Sequence, residues 1–184
     1  MKWVNVAVSI ALFPVAAIAH YDRTHWGMTR IEVAELYPEG FPGSDSYQVT
    51  GKVGPVWGAI AFEFGAQGLN AVRIIPSLVK PPAGGPIAPM SEDEGNSMAV
   101  RLVKLLTAKY GKPIAEPQRA SFEPSSRDAY LYVWHTDAGD FVSLELVHVG
   151  GEGAVLTQLR LRYQPLADVE AQYRARIEDA LKGL

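Results

Sequence analysis

Hydrophobic and polar positions along this chain follow two periods in turn, first the helical 3.6 and then the strand 2, and the succession occurs twice. The first helical stretch opens at Gly27-Met28-Thr29-Arg30-Ile31-Glu32-Val33. There Thr29 as N-cap and Glu32 three residues on make a capping box, and Met28 with Val33 make a hydrophobic staple. Ala34, Leu36 and Tyr37 continue the apolar stripe until Pro38 and Gly40 end it. A loop rich in Gly, Pro and Ser follows, and then 54–64 alternates, with Val56, Ile60, Phe62 and Phe64 on one face and Trp57 and Glu63 on the other. Gly65-Ala66-Gln67-Gly68 predicts the turn of a hairpin whose second strand, 69–75, is rich in β-branched residues.

The second cycle starts after 76–95, where prolines, glycines and the acidic run Glu92-Asp93-Glu94 predict a linker, with a lid or a proline-rich ligand as its functional alternative. Met98, Leu102, Leu105, Leu106 and Tyr110 give a helix over 96–110, stopped by Gly111 and Pro113. Three strands follow at 130–136, 141–149 and 154–163, joined by Asp137-Ala138-Gly139-Asp140 and Gly150-Gly151-Glu152-Gly153. A last helix begins after Pro165 and carries Leu166, Val169, Tyr173, Ile177 and Leu181 at helical spacing. The expected fold is α+β, two tandem helix-plus-antiparallel-sheet halves in two layers, 20–75 and 96–184, with a C-terminal helix.

Residues 1–19 change the setting. Lys2 precedes an apolar run that ends in Ala17-Ile18-Ala19, the pattern of a secretory signal, so cleavage is expected before His20. The run is shorter than the ~20 residues of a spanning helix and Pro14 interrupts it, so no integral membrane segment is expected after its removal. The location is then periplasmic or secreted. The chain has no cysteine, which leaves its stability to packing and rules out thiolate metal sites. A net charge of −3 without a basic cluster argues against nucleic acid and anionic membrane surfaces.

Sorting strand positions by face yields the candidate site. If the aliphatic face meets the helices, the other face collects Trp57, Glu63, Arg73, Tyr130, Tyr132, Trp134, Glu145, Arg160 and Arg162. Aromatic residues interleaved with arginine are enriched at interface hot spots, which points to a protein partner of the cell envelope. Strand propensity and cross-strand pairing explain the same residues without a partner. Self-association through the face is a further alternative.

Catalytic constellations are not found in the sequence. The histidines are His20, His25, His135 and His148, no serine sits in a Gly-x-Ser-x-Gly elbow, and the glycine pairs lack a phosphate-loop setting. Glu63 and Glu145 would make a glycosidase pair only at a suitable separation. No enzyme activity and no cofactor are expected. The alternative is a periplasmic copper- or small-ligand-binding protein in which the α-amine and imidazole of a new N-terminal His20 act with His25 or a histidine of the sheet. His135 and His148 share faces with aliphatic residues and read as core or edge histidines.

Trp26-Gly27-Met28-Thr29 with Glu32-Val33, the later Leu106-Thr107-Ala108-Lys109-Tyr110-Gly111-Lys112-Pro113 and the strand layout resemble small exported proteins of the β-lactamase-inhibitor-protein-like fold. The Gly-Met-Thr helix start also resembles that of the small lipoprotein of the outer-membrane β-barrel assembly machinery. The resemblance implies tandem halves whose concave sheet face binds another protein without catalysis. This chain lacks the lipoprotein's lipidation cysteine and the inhibitor's disulfides, so neither anchoring nor β-lactamase inhibition is carried over.

Overall fold

The computed structural model describes residues 21–114, 119–120, 126–151 and 154–182. Helix α1 (Arg30–Leu36) starts at the Thr29–Glu32 capping box, with the Glu32 carboxylate accepting from the Thr29 N–H at 2.7 Å. These bonds hold the Glu32 carboxyl below its usual range. The strands β1 (Phe41–Pro42), β2 (Ser46–Val53), β3 (Val56–Gly65) and β4 (Gly68–Ser77) complete the first half. Strand β5 (Met90–Ser91) and helix α2 (Glu92–Tyr110) open the second. They are followed by β6 (Arg119–Ala120), β7 (Ser126–His135), β8 (Asp140–Gly151), β9 (Ala154–Pro165) and α3 (Leu166–Lys182).

All pairings are antiparallel, and the strands form one sheet in the order β1-β2-β3-β4-β9-β8-β7-β6, with β5 beside β9. The α+β class, the tandem helix-plus-strand halves and the C-terminal helix are as the sequence predicts. The last strand of each half lies at the centre, where Val72 faces Tyr163, Arg73 faces Arg162 and Ile74 faces Leu161. Among the described residues no helix is long and apolar enough to cross a membrane.

Two elements differ from the sequence reading. Residues 46–53, expected as loop, are β2, because Tyr47, Val49 and Val53 alternate with polar side chains and the hairpin turn at Gly54-Pro55 brings them onto β3. Helix α2 begins at Glu92 rather than Asn96. Ser91 is its N-cap and Glu94 completes a second capping box, so the acidic run forms the first helical turn, where it complements the helix dipole. The segment between β4 and β5 that is neither helix nor strand is therefore 78–89.

One face of the sheet carries the core. Val33 of α1, its C-cap Tyr37, and Met98, Leu102 and Leu106 of α2 pack onto Phe62, Val72, Ile74, Leu144, Leu159 and Leu161, all buried. The N-terminal segment is tied to this body at both halves. Gly27 N–H donates to Leu69 O at 2.9 Å, and the Trp26 indole donates to the buried Asp140 carboxylate at 2.8 Å, beside the turn between β7 and β8.

Helix α2 approaches β9 closely at Gly95, where a Cβ would lie 2.6 Å from Thr157 Cβ and meet its methyl. Thr157 is 1 % exposed and β-branched, so it has nowhere to turn. Overpacking of this kind costs about 1–3 kcal/mol, against the ~1 kcal/mol of helix propensity that alanine adds. Gly95→Ala is therefore expected to lower unfolding stability by about 1 kcal/mol in urea denaturation, and adding Thr157→Ser, which deletes the obstructing methyl, is expected to recover part of the loss.

Candidate functional site

The face away from α1 and α2 is built by alternate residues of β2, β3, β4 and β9. Register sets Lys52 opposite Trp57, Ala61 opposite Arg73, and Arg73 opposite Arg162. Like charges directly opposite repel. Glu63 resolves the conflict, its two oxygens lying 3.0 Å from Arg73 Nε and 3.0 Å from Arg162 Nη2. Both guanidiniums remain nearly half exposed, at 44 % and 45 % of their side-chain surface. Arg160 is exposed and donates twice to Gln158 Oε1, at 2.9 and 3.1 Å, which holds it flat along its own strand. Glu145 sits opposite Arg160 on the same face, half-buried.

Farther along, the half-buried Trp57 has two ammonium groups over its ring, Lys52 at 5.4 Å and Lys80 at 5.5 Å from the centroid. Cations over an indole face are attracted by its quadrupole. Among the described residues neither lysine has a carboxylate partner. Toward β7 the face is less accessible, since Val133 and Ser143 are buried there.

Trp57, Arg73, Arg160, Arg162 and Glu145 thus share the face expected of them, but Tyr132 and Trp134 do not. Trp134 is fully buried and opposite Val142, and Tyr132 is opposite Leu144, so both rings point into the core, stacked on each other with centroids 6.1 Å apart. Strand β7 is apolar on both faces, so its alternation alone does not orient it. Strand β8 is unambiguous, with Val142, Leu144 and Leu146 against Ser143 and Glu145, and pairing to it sends the aromatic set inward and Val133 outward. Counting back across the turn from Val142 to Trp134 would have revealed this from the sequence. Tyr130 is paired with Leu146, and its side chain lies outside the described residues.

His20 of the copper alternative lies outside the described residues. His25 is exposed, with Nδ1 3.2 Å from Trp26 O, and no group of three or more metal-ligating side chains occurs among the described residues. His135 is exposed and tilts against Phe141 at 6.0 Å, at the surface rather than in the core, while the His148 side chain lies outside the described residues. Glu63 is committed to two arginines, which leaves it poorly placed to act as a free acid or nucleophile.

A second feature, on the helix side, was not legible in the sequence. A hollow of about 420 Å³ lies between Tyr21-Asp22, the end of α1, β2 and the end of α2, with Val49, Val53 and Ile60 beneath and Tyr21, Tyr37 and Tyr163 around it. Burial pushes the phenols of Tyr21 and Tyr163 well above their ordinary range. The Tyr37 phenol is pushed up from 10.0 to about 12, by burial first and then by its 2.9 Å hydrogen bond to Asp22.

These placements have measurable consequences. A folded-state phenol pKa above the unfolded value stabilises fully below pH ~10 and is lost as pH rises toward about 12, since there the unfolded chain holds fewer protons. The phenols should thus leave stability, measured by denaturation, level from neutral pH to ~10 and lower it above that, with a shallower fall in Tyr37→Phe. Trp134→Ala is expected to cost about 3–5 kcal/mol, the range for emptying a core aromatic site. Glu63→Gln, which strips two partly exposed arginines of their counter-ion, is expected to cost about 1 kcal/mol, and less in 1 M salt, where screening acts within ~3 Å.

Comparison of the chain with protein-family models, with curated proteins and with solved structures finds no match.

Proposed function

We propose that this chain is a non-catalytic binding protein, exported to the periplasm or secreted, that engages another protein through the polar face of its sheet. The observation that carries this reading is the cluster at the junction of the halves, where Arg73 and Arg162 converge on Glu63 beside the exposed Arg160. Three guanidiniums lie there on adjoining strands, two of them pre-oriented by Glu63 and the third by Gln158. A planar donor fork already held in place loses little entropy when it meets a partner's acceptors.

Trp57 extends the face as its aromatic anchor, with the two lysines at its edge. The burial of Trp134 and the placement of the half-buried Tyr132 on the core side move the centre of the proposed interface from β7 to the β3-β4-β9 region. The apolar run at 1–19 supports export, and the resemblance to the β-lactamase-inhibitor-protein-like fold supports a sheet-face mode of binding.

The test is site-specific photo-crosslinking in envelope extract. A photoreactive side chain at Arg160 is expected to trap a partner, whereas the same group at Ile31, 72 % exposed on α1, is not. Arg160→Ala combined with Arg162→Ala should weaken the captured complex by about 2 kcal/mol or more while leaving the fold intact. Equal trapping at the two positions, or binding indifferent to the arginines, would overturn the assignment.

A further inference from the structure

Strand β2 is incompletely covered on its outer side. Strand β1 pairs only with Tyr47 and Gln48, and Gly43 N–H reaches Ser46 O at 2.8 Å, so among the described residues no strand neighbours 49–53 there. Which main-chain groups face out follows from the hairpin. Gly54, at φ +59, and Pro55 form a two-residue turn of the kind with glycine first, which makes Val53 and Val56 the closing hydrogen-bonded pair. Alternation then directs the N–H and C=O groups of Gly51 and Val49 toward β3 and those of Thr50 and Lys52 outward. Among the described residues no hydrogen bond outside the ladder reaches these two.

The side-chain surroundings match that edge. Gly51 borders the hollow of about 420 Å³, within the ~300–1,000 Å³ range of ligand-binding hollows. A residue paired opposite Gly51 would send its side chain to the helix side, over a glycine that offers no Cβ, toward Val49, Val53 and Ile60 and between Tyr21 and Tyr37. Its two neighbours would project to the other face. There the neighbour opposite Lys52 meets an ammonium without a carboxylate partner among the described residues, with Lys80 across the same indole.

We infer that the outer edge of β2 is a docking site for an extended segment of another polypeptide, which continues the sheet at Thr50 and Lys52, seats an apolar side chain over Gly51 and carries carboxylates beside Lys52. Main-chain pairing supplies affinity and the alternating side chains supply selectivity, as in other strand additions. Charge complementarity selects acidic over basic segments, because an opposite charge facing Lys52 is favourable and a like charge is not. The inference stands on the β2 edge alone and holds whether or not the arginine cluster binds a partner.

The test uses two acetylated, amidated pentapeptides, Thr-Glu-Phe-Glu-Thr and Thr-Lys-Phe-Lys-Thr, added to the protein while amide exchange is followed by NMR. The acidic peptide is expected to slow exchange at the Thr50 and Lys52 amides and leave Gly51, already bonded to β3, unchanged. Lys52→Glu is expected to weaken its binding about tenfold. Thr50→Pro, which removes one outward donor at an edge where proline is tolerated, is expected to abolish protection at Lys52 while thermal unfolding stays cooperative. Absence of protection, equal protection by both peptides, protection that rises with protein concentration alone, or undiminished binding by Lys52→Glu would each overturn the inference.

Discussion

The antiparallel pairing of β4 with β9 is the constraint on which the rest of the structure depends. It joins the last strand of each half, turns two small layers into one sheet and lets α1 and α2 share a single core. Three consecutive pairs show what the junction must reconcile. Val72 against Tyr163 and Ile74 against Leu161 are buried hydrophobic contacts on the helix side. Arg73 against Arg162, between them, must point to the other side and would repel without Glu63. The most specific electrostatic arrangement on the surface is thus a consequence of how the halves are joined.

That coupling explains why fold and proposed site coincide. A side chain that is fixed because the sheet requires it is also preorganised for a partner, since its rotamer cost has been met in folding. Arg162 is held by Glu63, Arg160 by Gln158, and Trp57 lies under two lysines. Where the sheet has no such requirement, on the outer side of β2, main-chain groups of Thr50 and Lys52 have no partner among the described residues. The glycine at 51 in that strand and the hollow it borders keep the edge approachable.

Much of this was legible in the sequence where a single face decided the pattern. Thr29 and Glu32 fixed the start of α1, and β3 and β9 alternate cleanly enough to orient Trp57, Glu63, Arg160 and Arg162. Reading failed where both faces were apolar. Leu131 and Val133 compete with Tyr132 and Trp134 for the core, and only the register with β8 decides, since burying the larger rings beside Val142 and Leu144 removes more apolar surface from water. It failed also where a local signal was outvoted by composition. Ser91 and Glu94 form the same capping box as Thr29 and Glu32, yet the surrounding prolines and acids suggested a linker. The Glu63 bridge and the tyrosine-lined hollow depend on long-range packing and have no signature in the sequence.

The central claim is that two halves share one sheet through β4 and β9, with the arginines of the junction side by side on the polar face. It is tested most directly by nuclear Overhauser contacts between the main-chain hydrogens of 72–74 and 161–163 in solution. The account predicts cross-strand contacts in the register that sets Arg73 opposite Arg162. Contacts shifted by one residue would move one arginine to the helix side, and a lack of contacts between the two strands would mean that the halves are not joined, so either result would contradict it.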